Sequence, residues 1–176
     1  MLLILDSGHC GYVKGKEAPN KNFREWEFNN DMQYRIKKRA EECGIDVYLT
    51  NPYPKGKDEI GLTKRVNLAN DYWRRNGKPK ALFISIHANA YGSDFNSARG
   101  TETYIATNAS SNSKKAAGFI QDEVVKVFKE IDSGARPTNV SKDTFHPSSM
   151  ASSSACFSLQ HYSTLQHICI CYCLSP

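Results

Sequence analysis

Leu2-Leu3-Ile4-Leu5-Asp6-Ser7-Gly8-His9 is an apolar run that stops at a glycine and hands over a histidine, and its reading decides the fold. The run predicts a buried strand at the very start of the chain, with the His9 imidazole projecting from its carboxyl end. Ala81-Leu82-Phe83-Ile84-Ser85-Ile86 repeats the arrangement, closed by His87 just before Ala88-Asn89-Ala90. In open α/β sheets, sites form beyond the carboxyl ends of the strands, where both histidines would lie.

Between and after these runs the pattern alternates. Phe28, Met32, Ile36 and Ala40 predict a helix near 26 to 42, ended by Gly44, with Ile45 to Thr50 as the next strand. Leu62, Val66, Ala69 and Trp73 give a second helical stripe. Thr101 to Ala106 predicts a further strand, and residues 113 to 131 the clearest helix, with Ala116, Ala117, Ile120, Val124, Val127, Phe128 and Ile131 at core spacing. This alternation predicts an α/β fold, a three-layer sandwich with a mainly parallel central sheet. Gly11 to Arg24 reads as a polar loop forming one wall of a groove, and Pro52, Pro54, Gly56 and Gly61 mark a turn region.

Glu25 stands where the first helix begins, so its carboxylate can face the strand ends from the first helical turn. Two histidines and one carboxylate match the three-ligand set of a hydrolytic zinc site, which keeps one position for water. The competing reading makes His9 and His87 ordinary half-buried histidines with backbone partners. Spacing alone leaves both open, because no compact pattern such as HExxH joins the ligands in sequence.

Four blocks together resemble the zinc-dependent N-acetylmuramoyl-L-alanine amidases of bacterial autolysins and phage endolysins. They are Ile4-Leu5-Asp6-Ser7-Gly8-His9, Arg24-Glu25-Trp26-Glu27-Phe28-Asn29, Phe83-Ile84-Ser85-Ile86-His87-Ala88-Asn89-Ala90 and Arg99-Gly100-Thr101-Glu102-Thr103-Tyr104, in the family's order from residue 1 to about 131. The resemblance implies that His9, Glu25 and His87 bind zinc. Glu27 would point about 200° away from Glu25 on a helix, so both cannot face one ion, and the spacing to Asn29 favours Glu25. The implied reaction is zinc-promoted hydrolysis of the lactyl amide joining muramic acid to L-alanine. In the family a second glutamate, off the metal, moves the proton from a late strand resembling Pro-Ala-Val-Leu-x-Glu. No such segment occurs here, so the catalytic general base is unassigned.

The chain changes character where that strand is expected. All 23 Lys and Arg and all 18 Asp and Glu lie at or before Asp143, and the last 33 residues hold eight serines, four of the six cysteines and three of the five histidines. We therefore divide the chain into an amidase-like domain over 1–143 and an atypical, uncharged Ser/Cys-rich tail over 144–176. A second metal site of Cys169, Cys171 and Cys173 with His161 or His167 is disfavoured, because zinc-binding cysteine pairs usually have two or more residues between them. A disulfide cluster lacks an oxidising route. The preferred expectation is a replaced or disordered ending, for example after a reading-frame shift shortly past Phe145-His146. The other frames of the gene should then encode a glutamate-bearing strand.

Composition agrees with one domain: 176 residues, 40% hydrophobic, leave little room for a second. The net charge of +5 favours solubility or approach to anionic wall polymers, and Arg35, Lys37, Lys38 and Arg39 share one helix as a solvated face rather than a nucleic-acid patch. No run of ~18 apolar residues predicts a membrane span. Met1 leads directly into the first strand, which leaves no room for a signal peptide, so an enzyme acting on the wall would be released by lysis or through a holin. Peptidoglycan is the expected partner and zinc the expected cofactor; oligomeric state is not written in the sequence.

Other residues receive smaller roles. Asn89, in the turn after the strand, is assigned to the peptide stem, and Asp6 to orienting His9 as an acceptor behind the ligand. Arg65 supports the fold. Cys10 as a nucleophile is disfavoured because adjacent side chains diverge at a strand end, and Ser7 lacks a nucleophile elbow. Glu102 could replace the missing base only by its place in a motif-rich strand. Two functions follow: an active amidase, or a zinc- and wall-binding protein impaired by the loss of its general base.

Overall fold

The computed structural model describes residues 1–11, 13–53, 59–89, 94–95, 100–105, 109–131 and 166–173. Its elements are β1 (Leu2–Ser7), α1 (Glu25–Glu42), β2 (Asp46–Leu49), α2 (Leu62–Arg75), β3 (Ala81–Asn89), β4 (Gly100–Ile105), α3 (Ser111–Ile131) and β5 (Gln166–Cys173). They fall into two compact units, Met1–His87 and Ala88–Pro176.

In the first unit β1 is central. It pairs in parallel with β2, from Leu2 opposite Asp46 to Leu5 opposite Leu49, and with β3, from Leu2 opposite Ala81 to Ser7 opposite Ile86. A strand covered on both faces must be apolar on both, and every residue from Leu2 to Ser7 is buried. The crossover to β2 runs one way and the crossover to β3 runs back, so right-handed connections put α1 and α2 on opposite faces. Side-chain contacts agree with that placement. Tyr48 stacks on Tyr72 of α2 at 3.9 Å, and Arg65 of α2 reaches Asp6 at 2.6 Å, which puts Ile4, Asp6 and Tyr48 on the α2 face. Leu3, Leu5 and Ser7 then face α1 by strand alternation. The fold is α/β with a mainly parallel sheet, as expected.

The face that α1 buries differs from the expected apolar stripe. Glu25, Asn29, Gln33 and Ala40 are the buried residues, whereas Phe28, Met32 and Ile36 are half-buried. The polar stripe is needed because α1 lies beside strand ends whose backbone groups want partners. Asn29 Nδ2 donates to the Gly8 carbonyl at 3.0 Å, and Gln33 Nε2 to that of Asn51 at 2.9 Å. The helix stops at Gly44, whose φ of +73° suits a glycine C-cap, while Ile45 N–H donates back to the Ala40 carbonyl. In α2 the deepest positions are Arg65, Val66, Ala69 and Asn70, with Trp73 half-buried.

In the second unit β4 and β5 pair antiparallel, from Gly100 opposite Cys173 to Ile105 opposite Ile168. On α3, Gln121 donates to the Thr101 carbonyl at 3.0 Å and accepts from the Thr103 hydroxyl at 2.6 Å. Val127, expected in the core, is 51% exposed. Most of the sequence assigned to the uncharged tail lies outside the described residues, but Gln166–Cys173 within it forms a strand that the sequence reading did not place. The side chains of the suggested Cys169, Cys171, Cys173, His161 and His167 cluster fall outside the described set. Among the described residues, no helix is long and apolar enough to cross a membrane.

Candidate metal centre

At the carboxyl end of β1 the chain must turn sharply and still aim a side chain inward. Gly8 makes the close approach possible. A Cβ there would lie 2.5 Å from His87 Nδ1 and 2.7 Å from its Nε2, and closer still to its Cε1. Gly8→Ala should therefore displace the His87 ring and cost about 1–3 kcal/mol of stability by overpacking. Chemical denaturation together with zinc titration would check this; unchanged values for both would refute the close approach.

His9 follows with φ of +61°, a left-handed conformation that histidine tolerates better than most residues but that still stores strain. Three buried hydrogen bonds from side-chain amides hold this turn. Asn51 Nδ2 donates to the Ser7 and His9 carbonyls at 3.1 and 3.2 Å, and Asn29 takes that of Gly8.

The structure brings His9, Glu25 and His87 together, all buried, with one ligand atom from each lying within 4.8 Å of the others. Glu25 is the first residue of α1, and a carboxylate at that end is favoured by the helix dipole. His87 lies inside β3, two residues before its end, rather than just past a shorter strand. Glu25 Oε1 lies 3.0 Å from His87 Nδ1 and 3.7 Å from His9 Nε2. The two imidazoles meet edge to face, 82° apart, so their nitrogens converge instead of stacking.

Whether a cation fits can be judged from one atom. His9 Nε2 is buried and has no hydrogen-bond partner, and it points at the same Glu25 oxygen that His87 uses. Ligands sharing a tetrahedral ion at ~2.0–2.1 Å stand about 3.3 Å apart, between the 3.0 and 3.7 Å that separate Glu25 Oε1 from the two histidine nitrogens. Protonation states also suit a cation. Burial, reinforced by the nearby His87 and Lys16, lowers the His9 pKa despite the opposing pull of Glu25 and the Glu59 hydrogen bond, which disfavours a proton on its ring. Burial pushes Glu25 up, but the His87 hydrogen bond and the charges of His87, His9 and Lys16 outweigh it and leave the carboxyl below its ordinary value. A neutral imidazole beside an ionised carboxylate is what a divalent metal needs.

Asp6 does not orient His9. Its carboxylate accepts from Thr50 Oγ1, from Arg65 Nη1 at 2.6 Å and from Ser85 Oγ at 2.7 Å, all on the face toward α2. The acceptor for His9 is Glu59, whose Oε1 lies 3.0 Å from Nδ1. Sequence reasoning missed Glu59, which sits fifty residues away in a stretch without periodicity. Glu27 faces outward, its side chain 54% exposed beside Arg24, and Glu102 is exposed on β4, where the Tyr104 hydroxyl donates to it. Cys10 is buried as a free thiol, and the Ser7 hydroxyl is buried without a partner. Asn89 is the last residue of β3 instead of part of a following turn.

A protein-family match described as N-acetylmuramoyl-L-alanine amidase covers residues 3–161. No curated protein matches the chain. Among solved structures, the chain is similar to the catalytic domain of the N-acetylmuramoyl-L-alanine amidase CwlV from Bacillus (Paenibacillus) polymyxa var. colistinus, at 20% identity and a TM-score of 0.64, covering 96% of this chain and 78% of that one. It is also similar to the N-acetylmuramoyl-L-alanine amidase of Clostridium difficile 630, at 21% identity and a TM-score of 0.65, covering 96% of this chain and 77% of that one. A third likeness, at 18% identity and a TM-score of 0.61, is to the CwlD amidase of Clostridioides difficile, solved with the GerS lipoprotein, covering 97% and 81%. At these identities the structures speak for the fold, while the sequence match spans most of the chain and runs beyond Asp143. The chain belongs to the N-acetylmuramoyl-L-alanine amidase family.

Proposed function

We propose that this chain hydrolyses the amide between N-acetylmuramic acid and L-alanine in peptidoglycan, using a zinc ion held by His9, Glu25 and His87. The observation that carries the reading is the meeting of three buried side chains, with His9 Nε2 among them left without a hydrogen bond. Zinc, when bound, would supply a Lewis acid that polarises the scissile carbonyl and makes a water deprotonable near neutral pH.

The chain's own residues supply the rest. Asn51 and Asn29 fix the backbone from Ser7 to His9, so the ligand atoms are held in place before a cation arrives. Burial of both histidines keeps bulk water from competing for their nitrogens. Asn89, at the end of β3 beyond His87, is proposed to hydrogen-bond the peptide stem.

A second reading, a zinc- and wall-binding protein with impaired turnover, is favoured by one observation. Gln166–Cys173, the late strand, contains no carboxylate, and no acidic residue follows Asp143. Loss of a general base costs about 10²- to 10⁴-fold in rate. The readings separate when purified chain is incubated with cell walls, with and without chelator, while metal content and newly exposed alanine amino groups are measured. Chelator-sensitive release of amino groups without reducing sugars supports the amidase. Bound zinc without that release supports the second reading, and a chain that takes up no zinc would sink both.

A further inference from the structure

We propose that Glu59 is a positioning residue for this site: its carboxylate holds His9 in the tautomer that leaves Nε2 free for the ion. The inference rests on the reading of His9, Glu25 and His87 as metal ligands.

The two nitrogens of His9 have opposite surroundings. Nδ1 lies 3.0 Å from Glu59 Oε1, while Nε2 is buried without a hydrogen bond and faces Glu25 Oε1 at 3.7 Å. An ionised carboxylate can only accept, so it places the proton of a neutral imidazole on Nδ1 and the lone pair on Nε2. A carboxylate behind a ligating histidine fixes ring orientation as well as tautomer, and it makes the ligating nitrogen more basic.

That support matters more here than for most ligands. His9 sits on left-handed backbone directly after a glycine, and the nearest acidic side chain in sequence, Asp6, is fully engaged by Thr50, Arg65 and Ser85. Glu59 itself is anchored two residues before Gly61, the N-cap of α2. The same helix grips Asp6 through Arg65, so α2 braces both the strand that leads to His9 and the acceptor behind its ring. The Glu59 side chain is 38% exposed, and an ion pair that open to solvent contributes only about 0–1 kcal/mol to folding. Its effect should therefore be read at the metal rather than in stability.

The test uses the whole chain with Glu59→Ala and Glu59→Gln. Long-range proton–nitrogen NMR of the metal-free proteins reports the His9 tautomer, and competition with a chromophoric chelator reports zinc affinity. The parent is expected to show the Nδ1-protonated form. Glu59→Ala should shift His9 toward the other tautomer and weaken zinc about 10- to 100-fold, with little change in the unfolding midpoint. Glu59→Gln, whose amide oxygen accepts the same bond, should recover most of the loss. A Glu59→Ala protein that keeps parental tautomer and affinity, beside a zinc-loaded parent, overturns this inference alone. A Gln variant as weak as the Ala variant also overturns it, since charge and not the bond would then matter. A parent that takes up no zinc overturns the metal-site reading and this inference with it.

Discussion

Asp6→Ala is expected to lower the unfolding free energy by about 3–5 kcal/mol, enough to threaten the folded state of a typical domain. Asp6 is fully buried and receives three hydrogen bonds: from Thr50, just past β2, from Arg65 on α2 and from Ser85 on β3. Removing the carboxylate strands the Arg65 guanidinium, itself 5% exposed, without its counter-charge and leaves two hydroxyls short of a partner. The cost of an unpaired buried cation far exceeds the value of an exposed pair. Asp31→Ala, which breaks the open Arg35–Asp31 bridge, should cost less than about 1 kcal/mol and serves as the control. Urea unfolding of both variants, read at unchanged slope, makes the comparison; equal losses would refute the hub role. Arg65→Ala combined with Asp6→Ala should cost much less than the sum, because the second change removes what the first stranded.

Glu25→Ala should weaken zinc binding by more than about 100-fold, beyond what loss of a supporting partner usually costs, and abolish chelator-sensitive hydrolysis. Glu27→Ala, two residues along but exposed, should change neither. Zinc competition assays on the two variants decide the matter, and a Glu25→Ala protein with parental affinity would falsify the ligand assignment. The same residues set an acid limit. His9 and Glu25 both have folded-state pKa values below their ordinary ones. A depressed value means the group adds stability above its unfolded pKa and loses that contribution as pH falls through the folded one. For His9 the loss lies below the ordinary histidine value of 6.5, with the Glu25 loss lower still. Zinc affinity should therefore hold near neutrality and decline on acidification, as protons compete with the ion for His9 and then Glu25.

The elements up to α3 were legible because strand and helix periodicities are local, whereas β5 lies in a stretch that the sequence reading left without an element. The apolar run into Gly8 marked β1, and Gly44 marked the end of α1. Also legible was the meeting of His9, Glu25 and His87, since parallel strands deliver their carboxyl ends to one edge and α1 starts there. What failed was direction. Asp6 lies three residues from His9, yet strand alternation sends its side chain to the α2 face, while His9 lies beyond a turn that breaks the alternation. Glu59 gave no signal because its partner is fifty residues away and it stands in a stretch, Pro52 to Gly61, broken up by prolines and glycines. The α1 stripe misled for a third reason: the helix spends its deepest face on Asn29 and Gln33, which satisfy backbone that no apolar side chain can.

Among the described residues, the groups that hold His9, Glu25 and His87 in place, from the Gly8 turn through Asn29, Asn51 and Glu59, lie within the first 87 residues. On the proposed reading, retention of an ion can therefore be followed by metal content in variants of this unit, separately from any measurement of wall hydrolysis.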